Sequence, residues 1–306
     1  MKTEHFEFIG HGNTPLAATL WLPEGDVTHI LQINHGTAEH TGRFWRLAEY
    51  LTAHGIAVAG FDLRGHGRNP HPKDLAVLKE GEWAATIQDM RLFFQYLDDR
   101  FPGCPHYMFG YSLGSFLIRE YLEQYSDGVA GVAFTGTGYQ PGWVLGMTNA
   151  IVGSQIRKVG FDGYSPLVYQ LSFDAYNQKF KPNRTPVDWV CADEAELDDL
   201  LADSLCSSQF SAGLFYQMVA GMKHTNRREA YENWNKDMPV LILAGQSDPV
   251  GNMGKGVVTL KKRMEQAGMK NVSLHILSNS RHNTLMEHAS GDAEKAMTLM
   301  RDLILS

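Results

Sequence analysis

Residues 106–122 read His106-Tyr107-Met108-Phe109-Gly110-Tyr111-Ser112-Leu113-Gly114-Ser115-Phe116-Leu117-Ile118-Arg119-Glu120-Tyr121-Leu122. The first four residues are short and mostly apolar, as in a buried strand. The last eight place apolar residues on one helical face. Between them stands a G-x-S-x-G pentapeptide, Gly110 to Gly114. A serine on such a strand-to-helix turn is held in a strained backbone conformation with its Oγ pushed out at the top of a sheet. The flanking glycines are required because a side chain there would collide with the neighbouring strand and helix. The new helix also points its unpaired N–H groups and positive dipole end at any oxyanion formed there. This is the setting of a nucleophile, Ser112, and it predicts a sheet behind it.

Working outward, two extended stretches, Phe6–Ile9 and Leu16–Leu22, flank Gly10-His11-Gly12-Asn13 and read as a hairpin. Further strands are expected at Ile30–Asn34, Ile56–Phe61, Tyr107–Phe109, Val129–Phe134, Val240–Ala244 and Val272–Leu277. Helical patterns lie between them, at Phe44–His54, Trp83–Phe101, Gly256–Ala267 and Ala293–Leu305. In the second of these, Trp83, Ile87, Met90, Phe94 and Leu97 recur at steps of three and four. Strands alternating with helices predict an α/β fold, a mostly parallel central sheet with helices on both faces. The alternation breaks over residues 137–222, which lack a clear strand, are rich in aromatic and Met residues, and are cut by Pro166, Pro182 and Pro186. We read 1–136 and 223–306 as the core and 137–222 as a helical cap insertion over the carboxyl edge of the sheet. Most of its aromatics are expected to pack a small core of its own, and a subset to face a pocket.

A serine hydroxyl becomes a nucleophile only when a base removes its proton. The base is normally a His held in the right tautomer by a carboxylate. On a sheet with the serine at an elbow, acid and base follow on loops after later strands, the acid first. The loop after Val240–Ala244 carries Asp248, whereas Asp237 lies at the wrong end of that strand. The loop after Val272–Leu277 carries His282, with His288 the weaker candidate. After Ile30–Asn34 comes His35-Gly36-Thr37-Ala38-Glu39-His40. A loop of this kind supplies one oxyanion-binding N–H, assigned to Thr37, and the residue after the nucleophile, Leu113, supplies another. His35 with His40, Asp62 or His66 is the competing metal-ligand reading, but such a set lacks the close or acidic spacing metals need. Asp62-Leu63-Arg64-Gly65-His66-Gly67 is expected to shape a loop beside the site.

The 306 residues, 43% hydrophobic and 20% charged, describe a globular chain long enough for a full core. A net charge of -7 gives no electrostatic attraction to nucleic acid or an anionic membrane. Cys104, Cys191 and Cys206 are odd in number and lack C-x-x-C spacing, so neither a disulfide framework nor a zinc site is expected. A reducing compartment fits. The start of the chain is too polar for a signal peptide, and no apolar run reaches bilayer length. The expected location is the cytoplasm, with at most transient membrane contact through the cap.

With these residues assembled, the chain resembles the α/β-hydrolase superfamily, and within it the monoacylglycerol lipase and lysophospholipase-like branch. The matching residues are His35-Gly36-x-x-Glu39-His40, Asp62-x-x-Gly65-His66-Gly67, Gly110-x-Ser112-x-Gly114, Asp248-Pro249-Val250 and Arg281-His282. The resemblance covers about 1–135 and 225–306. In the insertion, Ser165-Pro166-Leu167 and Tyr176-Asn177 are similar to caps of bacterial lysophospholipase-like hydrolases. The elbow departs from the family pattern at Tyr111 and Leu113, where monoacylglycerol lipases typically have His and Met, and at Ser115, where glycine is common. The resemblance and the residues together imply a serine ester hydrolase acting on a small-molecule acyl ester, such as a monoacylglycerol or lysophospholipid. It needs no metal or organic cofactor. Rivals on the same residues are a proline-type aminopeptidase, a thioesterase and an acyltransferase. The aminopeptidase would draw on Asp193, Glu194, Glu196, Asp198 and Asp199 to hold a substrate amine. A non-catalytic ligand-binding protein is the rival of a different class.

Overall fold

The computed structural model describes residues 1–69, 75–207 and 209–306. The chain opens with two antiparallel strands, β1 (Lys2–Gly10) and β2 (Thr14–Leu22), paired from Lys2 opposite Leu22 to Gly10 opposite Thr14. The hairpin expected from Phe6 therefore begins four residues earlier. Lys2 to His5 carry no apolar face, but main-chain pairing at a sheet edge requires none. The turn takes positive φ at Gly12 and Asn13, 66° and 59°, a region open to these two residue types.

Six more strands follow: β3 (His29–Asn34), β4 (Ile56–Phe61), β5 (His106–Tyr111), β6 (Val129–Thr135), β7 (Val240–Gly245) and β8 (Val272–Leu277). Their order across one sheet is β1-β2-β4-β3-β5-β6-β7-β8. β2 runs antiparallel to both its neighbours, and β4 through β8 are mutually parallel with β3 among them. Helices α1 (Trp45–Thr52), α2 (Glu82–Arg100) and α3 (Leu113–Tyr125) make the first crossovers. Successive strand side chains point to opposite faces. In β4, Ala57, Ala59 and Phe61 join a core built with α2 and α3, while Ile56 and Val58 join a second core with Leu47 and Leu51 of α1. Strands covered on both faces read as unbroken apolar runs, which is why β4 and β7 were legible.

Between β6 and β7 the chain is helical. α4 (Gly142–Val159) is followed by α5 (Pro166–Tyr169), with Pro166 at its first position and Ser165 Oγ accepting the Val168 N–H at 3.3 Å. A π-helical turn, Gln170–Asp174, leads into α6 (Ala175–Asn177), and α7 (Glu194–Ala202) and α8 (Ala212–Thr225) complete the segment. The prolines interrupt only the middle of the segment, so α4 and α8 are long. α8 runs three residues beyond 222 and lies against both α4 and α3. For that reason Phe210, Phe215, Met218 and Trp189 do not form a separate small core; they belong to the same buried cluster as α2 and α3. Trp143, Met147 and Leu171 stay exposed on the outer side. α9 (Lys255–Gln266) and α10 (Asp292–Leu305) close the chain, and α10 adds Met300 and Ile304 to the core shared with α1. Among the described residues no helix is long and apolar enough to cross a membrane.

Candidate active site

β5 ends at Tyr111 and α3 begins at Leu113, leaving Ser112 alone at the turn with φ 49° and ψ -114°. A non-glycine residue rarely adopts this conformation, and it persists only where the surroundings enforce it. Here the enforcement is visible. Ser112 N–H donates to Thr135 O at 3.0 Å, and Gly114 N–H to His35 O at 3.1 Å. A Cβ on Gly114 would lie 2.0 Å from Asn34 O, and one on Gly110 2.7 Å from Ser115 Cα. Both glycines are therefore required by close backbone approach.

Asp248 sits in the loop after β7 and His282 in the loop after β8, and both are buried. The two loops are stitched together by Gln246 N–H to Leu277 O at 2.8 Å and Ser247 N–H to Ser280 O at 3.1 Å. Asp248 Oδ1 lies 2.9 Å from His282 Nδ1 and accepts the Val250 N–H at 2.9 Å. His282 Nε2 lies 3.0 Å from Ser112 Oγ. An ionised carboxylate only accepts, so Nδ1 carries the proton and Nε2 is left to accept from the serine hydroxyl. The structure thus brings Ser112, Asp248 and His282 into one hydrogen-bonded line. His288 is instead turned toward Glu294 Oε1 at 2.7 Å, and Asp237 is paired with Lys270 at 2.8 Å.

The loop after β3 folds over the elbow, with φ 63° at Ala38. Glu39 Oε1 accepts the Gly36 N–H at 2.6 Å, which fixes the turn leading into Thr37. Among the described residues neither the Thr37 nor the Leu113 N–H has a protein acceptor, as an oxyanion-binding pair requires. Glu39 is buried, and the loss of water around it raises its carboxyl to about 7, against the Gly36 hydrogen bond and the Arg43 charge that favour ionisation.

The four residues of the competing metal reading serve the loops. His35 Nδ1 donates to Gly36 O at 2.8 Å while its Nε2 accepts the Leu63 N–H at 2.8 Å, so the ring is neutral. Burial first, then the neighbouring His66, pushes its ionisation down to about 3. Asp62 accepts from Thr41 N–H at 3.0 Å and from Arg68 N–H and Nε at 2.9 and 3.0 Å. His66 Nδ1 donates to Arg64 O at 2.8 Å. A different trio, His40, Asp203 and Cys206, holds its ligand atoms within 4.8 Å of one another. His40 Nε2 already bonds Asp203 Oδ2 at 2.9 Å, and the Arg43 guanidinium stands 3.9 Å from the same oxygen. That positive charge opposes a second cation there.

A cavity of about 340 Å³ opens over Ser112 and His282. Thr37, Glu39 and Tyr111 line it from the core, and Phe173, Trp189 and Leu200 from the inserted segment. The acidic residues of that segment are absent from its lining. Asp193 caps α7 through Ala195 and Glu196 N–H, Glu196 pairs with Arg46, and Glu194 and Asp198 face Arg184 at the surface. Two features escape the sequence. One is Glu39 as the carboxyl inside the cavity; its place in the His35–His40 stretch was the available signal. The other is the ring of Trp189 against His282, centroids 4.7 Å apart. Nothing in the sequence separates Trp189 from the other aromatics of its segment.

A family model described as Hydrolase_4, serine aminopeptidase, S33, matches residues 25–289. Among curated proteins, a monoacylglycerol lipase of Mycolicibacterium smegmatis is 27% identical over 139 residues, 44% of this chain and 46% of that protein. The chain spans less than half the length of the first curated relatives it matches. Among solved structures, a thermostable carboxyl esterase from Bacillus coagulans in complex with glycerol superposes with a TM-score of 0.88 at 21% identity, covering 99% of both chains. A lipase in its open form gives 0.88 at 23% identity over 99% and 98% of the two chains. These likenesses show the α/β-hydrolase fold.

Proposed function

The chain belongs to the family described as Hydrolase_4, serine aminopeptidase, S33, and we propose that it is a serine hydrolase of carboxylic esters with an apolar acyl chain. One observation carries this reading: the line Asp248–His282–Ser112 lies at the edge of a cavity whose outer wall is largely apolar. Ser112 attacks the ester carbonyl as His282 Nε2 takes its proton. Asp248 holds the ring and stabilises its charged form, and the Thr37 and Leu113 N–H groups receive the oxyanion. His282 returns the proton to the leaving alcohol, and water cleaves the acyl-enzyme by the same route. The monoacylglycerol lipase relative supports a glyceride or lysophospholipid ester as substrate. Residues 137–222 act as the cap that selects it. The cytoplasm is the compartment we propose, supported by three unpaired cysteines.

The family's description favours a second reading, an aminopeptidase. Such an enzyme needs an ionised carboxylate to hold the substrate amine. The carboxyl in this cavity is Glu39, which burial holds toward its neutral form, and the acidic residues around α7 are engaged elsewhere. Ester cleavage is the better fit.

The test is Ser112→Ala. Turnover of a p-nitrophenyl ester should fall by roughly four to six orders of magnitude with the thermal transition preserved. A fluorophosphonate should label the wild-type chain once, at Ser112. Wild-type-like turnover in the variant would remove Ser112 as nucleophile.

A further inference from the structure

His282 takes up and gives back a proton in each half-reaction of the proposed site, keeping its bond to Asp248 while Nε2 turns from Ser112 to the leaving oxygen. Its bonds to Asp248 and Ser112 leave from opposite ends of the imidazole. They fix the axis of the ring but resist tilting about that axis only weakly, so its faces need packing partners. Tyr111 covers one side, with centroids 5.2 Å apart at 50°. Gly136 leaves the room required, since a Cβ there would stand 2.8 Å from His282 Cε1. The closest ring is Trp189, at 4.7 Å and 37°, and it comes from the inserted segment rather than the sheet.

Trp189 is held by an arrangement independent of the cavity. Its main-chain N–H donates to Asn177 Oδ1 at 3.0 Å, while Asn177 Nδ2 donates to Thr185 O at 2.8 Å and Asn183 Nδ2 to Asn177 O at 2.7 Å. The Asp188 carboxylate closes the same turn, accepting the Arg184 and Thr185 N–H groups at 2.6 and 3.0 Å. Of the Tyr176-Asn177 pair singled out in the sequence, Asn177 is thus the hub of this turn, and the Tyr176 ring packs 5.2 Å from that of Trp189.

The turn is in turn sewn to the loop that carries His282. Asn283 N–H donates to Val190 O at 2.8 Å, and Arg281 Nη1 to Cys191 O at 3.1 Å as well as to Asp188 O. The buried Glu287 carboxyl accepts N–H groups from both loops of this seam, Arg281 at 2.8 Å and Ala192 at 3.1 Å.

We infer that Trp189, held by Asn177, is a positioning residue for the base: it fixes the tilt of the His282 ring and faces its positive charge when the proton is taken up. This rests on the proposed reaction and deepens it, because it makes residues 183–192 part of the base's housing rather than a movable lid. An aromatic face within about 6 Å attracts an imidazolium, and a small misplacement of a reacting group costs on the order of 100-fold in rate.

Trp189 also lines the cavity, so the test must separate positioning from binding. Diisopropyl fluorophosphate reacts at an activated serine and carries no long acyl chain to bind. Its second-order labelling rate and the kcat and KM of p-nitrophenyl butyrate are measured for wild type, Trp189→Leu, Trp189→Phe and Asn177→Ala, each checked by thermal melting. Trp189→Leu should label 10- to 100-fold more slowly and lose kcat by a similar factor. Trp189→Phe, which keeps a ring and the main-chain N–H to Asn177 but no indole N–H, should recover most of the rate. Asn177→Ala, which lies outside the cavity, should move both numbers in the direction of Trp189→Leu. Labelling of Trp189→Leu at the wild-type rate, with only KM raised, would overturn the inference and leave Trp189 as pocket wall. Failure of the wild-type chain to label at all would instead overturn the proposed reaction.

Discussion

Glu39 carries a largely buried carboxyl to the lining of the cavity, and the consequence reaches beyond the loop after β3 that it braces. In the unfolded chain it titrates near 4.5; in the fold, burial raises it to about 7. A raised carboxyl favours the neutral form in the fold, so its contribution to stability is complete below pH 4.5. It is lost as pH rises to about 7 and constant above that. The whole change is on the order of 3 kcal/mol. Glu39→Gln keeps an oxygen for the Gly36 N–H but does not titrate. The unfolding free energy of the variant minus that of wild type should therefore grow between pH 4.5 and 7 and level off above. A difference that is flat with pH, measured by urea denaturation, would refute the raised value. At this scale the sequence was uneven. Ser112, Asp248 and His282 stood out because each leaves the carboxyl end of a readable strand, so position supplied what residue type alone could not. Glu39 was quoted as part of a matching stretch, but the groups near enough to act on its charge include Asp203 and Cys206, far along the chain, which local spacing does not encode.

Among the elements, α3 does more than begin at the serine. Its Arg119 is fully buried. Nη1 donates to Gly138 O at 3.2 Å, and Nη2 to Thr225 O at 3.1 Å, Asn226 Oδ1 at 3.0 Å and Tyr231 OH at 3.1 Å. Gly138 follows β6 and Thr225 ends α8, so one guanidinium gathers both ends of the inserted segment. Arg119→Met would fill similar volume but leave these buried acceptors without a donor, at about 1–3 kcal/mol for each one unsatisfied. We expect a loss of at least about 2 kcal/mol in unfolding free energy. Limited proteolysis should also cut faster at 136–141 and 225–228. Unchanged cleavage at both ends would mean the segment is anchored by its apolar packing alone. In the sequence Arg119 is one polar residue in an apolar helix, and its partners lie 19, 106, 107 and 112 residues away. The same limit explains the pattern among elements. The parallel strands were legible because burial on both faces writes itself as a short apolar run. β1 was read short because edge pairing leaves no such mark, and the inserted helices were blurred because their aromatics serve the common core and the cavity together.

For the molecule as a whole, sheet and inserted segment divide the proposed work, with the sheet supplying the chemistry and the segment the choice of substrate. The alternation of strands and helices made the first half readable. The second was not, because a pocket wall drawn from Phe173, Trp189 and Leu200 is set by how α7 and the turns before it pack, not by any periodicity. The cavity's size now makes the choice measurable. Its volume of about 340 Å³ is near the lower end for small-molecule sites. Each methylene buried against an apolar wall is worth about 0.8 kcal/mol, nearly fourfold in kcat/KM. Across p-nitrophenyl esters, kcat/KM should therefore climb from acetate through medium chains and flatten once the cavity is full. Leu200→Ala, which shortens the wall without touching the rings around His282, should lower the slope of that climb more than it lowers acetate hydrolysis. A steady fall from acetate upward, or faster cleavage of aminoacyl naphthylamides than of any ester, would overturn the apolar-ester reading. The line Asp248–His282–Ser112 would then serve a polar substrate, with Glu39 the group to re-examine as its anchor.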